Sequence, residues 1–391
     1  MFGQSARDAR PGGGTKEKGT LRKIAIVGMH TALKPGFNAA MSLNEALGFE
    51  AHGCEVTLYL PRTPGRDPHS WLRRGGYRSF DDLPRFGGQF NVKPLAGLAD
   101  LEPADVLIWQ TYNAKDLPLL AELRRPSMLR TKNVPRAFTG EHARDSARMA
   151  AYLKEFDLVA LSLRADQQIV RANFPEHKRR LRYVPRGFIA EWLDGNGRGR
   201  VPTIGLDLAK SEDTARARRH IAKLGQQLRG QWPELRFLSV REEVDTLGSE
   251  GVPTLPLRDY YDRFLNRLWL YMPIDFEHSE HVKGLARTTD GRRMFLGLYE
   301  NEIVEAQLAG ALVLARRDDI PRELLMLPAV SQVESYDDEA ALLEAATAHL
   351  ENFAARSQRS RERARARHNH LEMARTWLAA LDVVARDGAR A

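Results

Sequence analysis

At 391 residues the chain is longer than a single hydrophobic core usually sustains, so two domains are expected. Hydrophobic residues at 43% beside 28% charged ones describe a globular chain, and the single cysteine, Cys54, excludes an intramolecular disulfide framework and fits a reducing compartment. The 59 basic against 51 acidic residues give +8, which favours anionic partners (nucleotides, nucleic acid or acidic membrane) without choosing among them.

Residues 1–20 are polar and glycine-rich with no apolar signal core, and read as a loose leader. No apolar run approaches the roughly 20 residues that span a bilayer, so a cytoplasmic protein is expected. "KIAIVGMH" (23–30) is a strand ending at Gly28, followed by a loop with Lys34 and Gly36, a helical pattern, and a second strand, "CEVTLYLP" (54–61). Strand, loop, helix, strand is the signature of a parallel sheet covered by helices. Residues 62–100 read as a long excursion rich in glycine, arginine and aromatics. Further buried strands are expected at 104–112, 134–140, 156–163 and 181–188, with a helix at 144–155.

"DGNGRGRV" (194–201) reads as a linker, after which the alternation restarts. A strand at 202–208, a helix near 211–229, a strand at 235–240, a helix near 258–266 and a strand at 268–273 follow. The stretch "YENEIVEAQLAGALVLARRDDIP" (299–321) sets two acids, Glu300 and Glu305, at the start of an apolar helix that turns through Gly310 into a strand-like run. A strand at 330–335 and a helical tail from 337, rich in Ala, Glu, Arg and Leu, complete the pattern. The expected fold is α/β, two Rossmann-like domains facing a cleft. Residues 21–194 form the first, 201–355 the second, and 356–391 a helical tail with packing back on the first domain as one option.

Several stretches resemble, in order over roughly residues 22–385, the retaining glycosyltransferases of the GT-B fold, in particular family 4. "NEALGFEAHGCEVTLYLP" is similar to that family's first helix and second strand. "FDLVALSLRADQQIV" resembles the strand that ends its acceptor sheet, and "RYVPRGFIAEWL" resembles its "IPNG" turn with Arg186 where Asn is usual. "GVPTLPLRDYYDRFLNRLWLYMP" looks like the segment preceding the donor site, and 299–321 falls where the family carries its acidic donor motif.

The resemblance implies a sugar moved from a nucleoside diphosphate sugar, UDP- or GDP-linked, to an acceptor bound by the first domain, with no other cofactor and no metal. Glu305 matches the glutamate that holds the ribose hydroxyls, a charge-assisted contact of the stronger kind. Asn301 matches a loop position whose backbone helps hold the donor. The family pairs Glu305 with a glutamate eight residues earlier, which here is Gly297; Glu300 or Glu302 then stands in. Lys210 matches the lysine that meets the charge growing on the leaving diphosphate. The family's arginine position is Leu206, Ser211 replaces its glycine, and Arg287, Arg292 and Arg293 are stand-ins on location. His142, with its neighbour Glu141, takes the place of a histidine near the transferred sugar.

The loop after Gly28 lets backbone approach a bound group, but it has neither the dinucleotide spacing G-x-G-x-x-G nor a P-loop, which argues against an NAD oxidoreductase. His278 and His281, three apart, would share a helical face as metal ligands sometimes do, with no further ligand to support them. The run "ARSQRSRERARAR" (355–367), six Arg against one Glu, is either a solvated helix face or a phosphate-backbone or membrane contact. The excess of Arg and the aromatic, basic stretch "HSWLRRGGYRSF" (69–80) leave a nucleic-acid acceptor, as in GT-B enzymes that glucosylate modified DNA bases, as a second function. A noncatalytic GT-B-like binding protein is the third.

Overall fold

The computed structural model of the protein describes residues 22–28, 39–61, 91–95, 97–110, 128–134, 150–151, 153–195, 198–207, 214–240, 250–252, 257–273, 301–317, 320, 322–327 and 331–388. The first unit contains β1 (Lys23–Val27), α1 (Ala39–Ala51), β2 (Glu55–Pro61), β3 (Asn91–Leu95), β4 (Val106–Trp109), β5 (Leu129–Val134), β6 (Leu158–Leu161), α2 (Arg164–Asn173) and β7 (Leu181–Tyr183). Its seven strands pair in parallel in the order β3-β2-β1-β4-β5-β6-β7. The chain therefore starts in the middle of the sheet, winds to one edge and returns to wind to the other, which is the doubly wound Rossmann arrangement.

The second unit repeats it. It contains β8 (Thr203–Asp207), α3 (Thr214–Gln231), β9 (Arg236–Val240), β10 (Glu250–Val252), α4 (Leu257–Arg263), β11 (Leu270–Pro273), α5 (Asn301–Leu308) and β12 (Leu312–Val313). Its parallel order is β10-β9-β8-β11-β12. Two short strands, β13 (Ala315–Arg316) and β14 (Gln332–Val333), pair separately. The chain ends in α6 (Glu339–Glu351), α7 (Phe353–His368) and α8 (His370–Gly388). Asp338 starts α6 by accepting the Ala341 N–H at 3.0 Å, the ordinary N-cap bond.

Strand periodicity sorts the core. In the first sheet Ile24, Ile26, Val56, Leu58, Val106 and Ile108 face α1, while Ala25, Val27, Tyr59, Leu107 and Trp109 fill the opposite side. The α1 side does not stop at the unit boundary. One apolar cluster runs from that sheet face through Phe188, Ile189, Trp192 and Leu193 to Phe264, Tyr271 and Ile303 of the second unit, and to Met373, Trp377 and Leu381 of the tail. The second sheet's other face packs Ile204, Leu206, Phe237, Leu270 and Met272 against α3 and α6.

Gly205 sits where β8 meets this shared cluster. A Cβ there would collide with Leu268 Cδ1, lie 2.8 Å from Leu268 Cδ2 and 3.0 Å from Phe264 Cζ. Gly205→Ala is therefore expected to cost about 1–3 kcal/mol by overpacking. An unchanged urea midpoint would show that Leu268 yields at no cost.

The tail crosses from the second unit to the first. At the α7–α8 junction Phe188 N donates to His368 O at 2.8 Å and His370 N donates to Phe188 O at 3.0 Å, zipping the tail to the segment joining the units. Beyond it α8 lies along α1: Arg22 pairs with Asp382 at 2.7 Å, His52 Nε2 bonds Leu371 O at 2.9 Å, and a Cβ on Gly48 would be 2.6 Å from His370 O. Arg198, at the start of the second unit, donates to Leu268 O at 2.8 Å and Ala309 O at 2.7 Å. Burial pulls its guanidinium down to about 10.

β5 covers Leu129–Val134, a strand not expected in this place, while the strand expected at 134–140 lies, beyond Val134, outside the described residues. β3, an edge strand of five residues, has no counterpart among the expected elements. The helical tail expected from 337 consists of three helices, with breaks at Asn352 and Asn369. Among the described residues no helix is long and apolar enough to cross a membrane.

Candidate functional site

Parallel sheets of this kind take their ligands beyond the carboxyl ends of the strands. The polar residues placed there are Gly28 after β1, Gln110 after β4, Arg186 after β7, Asp207 at the end of β8, and α5 between β11 and β12. Gly28 is fixed by packing. Its N–H donates to Tyr59 O at 2.9 Å, and a Cβ on it would come within 2.9 Å of Ser42 Oγ on α1. Ser42 in turn donates to Gln110 Oε1, and Gln110 donates to Glu45 Oε2, all three buried. The close approach of α1 to the end of β1 is thus a sufficient reason for a glycine at 28.

Glu305 is not at the start of its helix, as its sequence context implied, but at the fifth of eight positions of α5, and it is 1% exposed. Its Oε1 accepts the Tyr261 hydroxyl at 2.5 Å. Tyr261 comes from α4, and its ring lies 6.3 Å from Trp192 of the segment joining the two units. The carboxylate is therefore held by a tyrosine beside the junction, and a capping role in the first turn is ruled out by its position. Asn301 is the first residue of α5 rather than a loop residue, and its side chain is engaged: Asn301 Oδ1 accepts from Arg186 Nη1. Arg186 is 1% exposed and comes from the first unit's exit, so this bond spans the two units. His368 Nδ1 lies 3.0 Å from Arg186 O, and burial drops the His368 imidazole to about 4, so it is neutral near pH 7.

Leu206, at the position where an arginine was sought, points into the core of the second unit. The next residue, Asp207, is the buried polar group at that strand end and accepts the Tyr271 hydroxyl at 3.3 Å. Glu141, His142, Lys210, Arg287, Arg292 and Glu300 lie outside the described residues, as do Lys34, Gly36, Ser211, His278, His281, Arg293 and Gly297. Of the residues singled out in sequence, the structure thus brings Asn301 and Glu305 together on one helix and leaves Gly28 at the other unit's strand end. Arg186, Tyr261 and Asp207 carry buried polar contacts that sequence reading gave no role. The signal for Arg186 and Asp207 was a charged residue near the carboxyl end of a predicted strand. For Tyr261 there was none, since adjacent aromatic residues on a helix read as core. Among the described residues no group of three or more His, Cys, Asp or Glu side chains could hold a metal ion.

The basic run now forms most of α7, and half of its arginines are spent within the fold. Arg363 donates to Met326 O at 2.9 Å, Arg365 to Ala190 O at 3.3 Å, and Arg367 to Glu323 O at 3.0 Å and to Tyr183 Oη at 3.2 Å. They stitch the tail to both units.

Compared with solved structures, the whole chain has the GT-B fold. A glycosyltransferase from Rickettsia africae superposes with a TM-score of 0.60 at 10% identity, covering 94% of this chain and 99% of that one. HepE from Anabaena in complex with UDP gives 0.59 at 12% identity, with 93% and 100% covered. The UDP-GlcNAc 2-epimerase from Neisseria meningitidis bound to UDP-GlcNAc gives 0.57 at 8% identity, with 94% and 100% covered. No family model and no curated protein sequence matches the chain. The fold is shared at 8–12% sequence identity.

Proposed function

We propose that the protein is a glycosyltransferase that binds a nucleoside diphosphate sugar on its second unit and transfers the sugar, with retention of anomeric configuration, to an acceptor on its first. The observation that carries the reading is the placement of Glu305 and Asn301 on α5, the helix that follows the central strands of the second sheet, at the junction of the two units. Structures of the same fold, aligned over 93% or more of this chain, hold UDP, UDP-glucose or UDP-GlcNAc, which supports a uridine donor ahead of a guanosine one. In this reading Glu305 takes the ribose hydroxyls in exchange for the Tyr261 hydroxyl. Lys210, with Arg287 and Arg292, offsets charge on the departing diphosphate, Asn301 helps hold the donor, Glu300 stands in for the acid missing at Gly297, and Gly28 lets backbone approach the donor. His142 and Glu141 orient the acceptor or take its proton. Closure of the units would exclude water and limit hydrolysis of the donor. Retention and independence of a metal rest on the sequence resemblance.

Titration calorimetry with UDP-, GDP- and ADP-sugars tests it. The expected result is saturable binding of one base class with slow release of sugar, and NMR of the product then reads the anomer. Absence of binding by every donor would leave a noncatalytic binding protein. The internal use of Arg363, Arg365 and Arg367 takes those groups away from a nucleic-acid acceptor, so DNA binding with a shallow salt dependence, or none, is the expected companion result.

A further inference from the structure

The contact between the units holds a buried carboxyl that the proposed transfer reaction does not use. Asp166 is in the first turn of α2, at the strand-end edge of the first sheet, and is 4% exposed. Its Oδ1 has no hydrogen-bond partner among the described residues. Facing it is a second acid from the other unit: Glu323, in the short turn Arg322–Leu324, reaches across to accept the N–H of Ala165, Asp166's neighbour, at 3.4 Å. That turn is anchored on α5, because Gln307 donates to Leu324 O at 2.7 Å and accepts from Met326 N at 2.7 Å. The helix carrying Glu305 and Asn301 therefore moves with Glu323.

We propose that Asp166 and Glu323, with Arg186 between the units, form a proton-linked latch: the units stay docked while Asp166 is neutral and part when it ionises against Glu323.

The surrounding charges set the sign. Burial, then the charge of Glu323, push Asp166 up to about 8, with Arg186 pulling the other way. Arg367 of α7 stands 3.5 Å from Glu323 Oε2, pairing with that acid rather than with Asp166. On Asp166's own helix Arg164 is turned onto the Tyr183 ring, 4.6 Å from its centroid. His368, against the Arg186 carbonyl, is neutral and adds no charge above about pH 4. With the units apart, Asp166 returns to the ordinary carboxylate range near 3.9. A group whose value is raised on docking favours the docked form below that value. The docked-to-open ratio therefore falls roughly tenfold per pH unit between about 4 and 8, and is level above 8. This sign does not depend on what the cleft binds.

Small-angle scattering of the full chain without ligand at pH 5.5 and pH 8.5 tests the latch. The expected result is a larger radius of gyration at pH 8.5 in the wild type, the smaller value at both pH values in Asp166→Asn, and a reduced change in Glu323→Gln, where the facing charge is gone. Thermal unfolding of each variant, read by circular dichroism, checks that it folds. If Asp166→Asn does not fold, Glu323→Gln carries the test. An unchanged wild-type radius, or a wild-type change that persists undiminished in the folded variants, overturns the proposal. Donor titration at a single pH is untouched by either outcome, so failure here is distinct from failure of the transferase reading.

Discussion

Trp377→Ala is expected to remove about 3–5 kcal/mol of stability, the cost of a large core truncation whose cavity cannot collapse. Trp377 is 0% exposed, on the face of α8 that carries Met373, Ala374 and Leu381, and its ring is tilted against Phe49 of α1 with centroids 6.5 Å apart. The loss does not stay in the tail. Gly187 N donates to Met373 Sδ at 3.1 Å, and a Cβ on Gly187 would lie 2.6 Å from Met373 Cβ, so the same helix face clamps the segment joining the units. Urea unfolding should show the whole transition moved to lower denaturant rather than a separate early melting of α8. Trp377→Phe is the control. The indole N–H has no hydrogen-bond partner among the described residues, so losing it recovers part of the roughly 1–3 kcal/mol that an unsatisfied buried donor costs. The phenylalanine variant should thus lie within about 1.5 kcal/mol of wild type. A Trp377→Ala variant with an unchanged midpoint would mean that the tail's docking contributes nothing.

The contrast between β1 and β5 shows where sequence reading succeeds. β1 reads "KIAIV", an uninterrupted apolar run, and a central parallel strand buried on both faces is expected to look like that. β5 reads "LRTKNV", just as central in the sheet, yet charged residues break the run. Arg130 is tolerated there because its guanidinium reaches Glu155 at 3.6 Å and its backbone N–H bonds Asp157 at 2.8 Å, while the buried Thr131 hydroxyl donates to Leu107 O at 3.3 Å. Those partners are remote in sequence or visible only once the sheet exists. The tail behaves similarly: Met373, Trp377 and Leu381 recur at helical spacing and announce a buried face, but no periodicity names α1 as its cover. For the site, the strand ends were legible and so was the place of α5. What was not legible is that Glu305 meets Tyr261 and that Arg186 meets Asn301, because both pairs join segments far apart in sequence.

Glu305→Gln should lower affinity for a uridine diphosphate sugar about 10–100-fold while leaving the unfolding midpoint nearly unchanged. The amide keeps the shape of the side chain and an acceptor for the Tyr261 hydroxyl, but it loses the charge that makes hydrogen bonds to ribose hydroxyls strong, and bonds of that kind are worth about 1.5–3 kcal/mol. Truncation to alanine is a poorer test, because it also strands a buried tyrosine hydroxyl at a cost of about 1–3 kcal/mol. Tyr261→Phe separates the two functions of the carboxylate. If ribose replaces the tyrosine on Glu305, removing the Tyr261 hydroxyl leaves the carboxylate ready for its ligand, and donor affinity is maintained or rises. If instead Tyr261 only fixes a core carboxylate, Tyr261→Phe and Glu305→Gln each lower stability and neither changes donor affinity. In the double variant Glu305→Gln/Tyr261→Phe, affinity should equal that of Glu305→Gln alone, since the tyrosine acts on the donor solely through that carboxylate. Calorimetric titration of the three variants beside wild type, each checked by its urea midpoint, decides between a ribose-binding carboxylate that a tyrosine occupies until the donor arrives and an acid that does no more than hold α4 against α5.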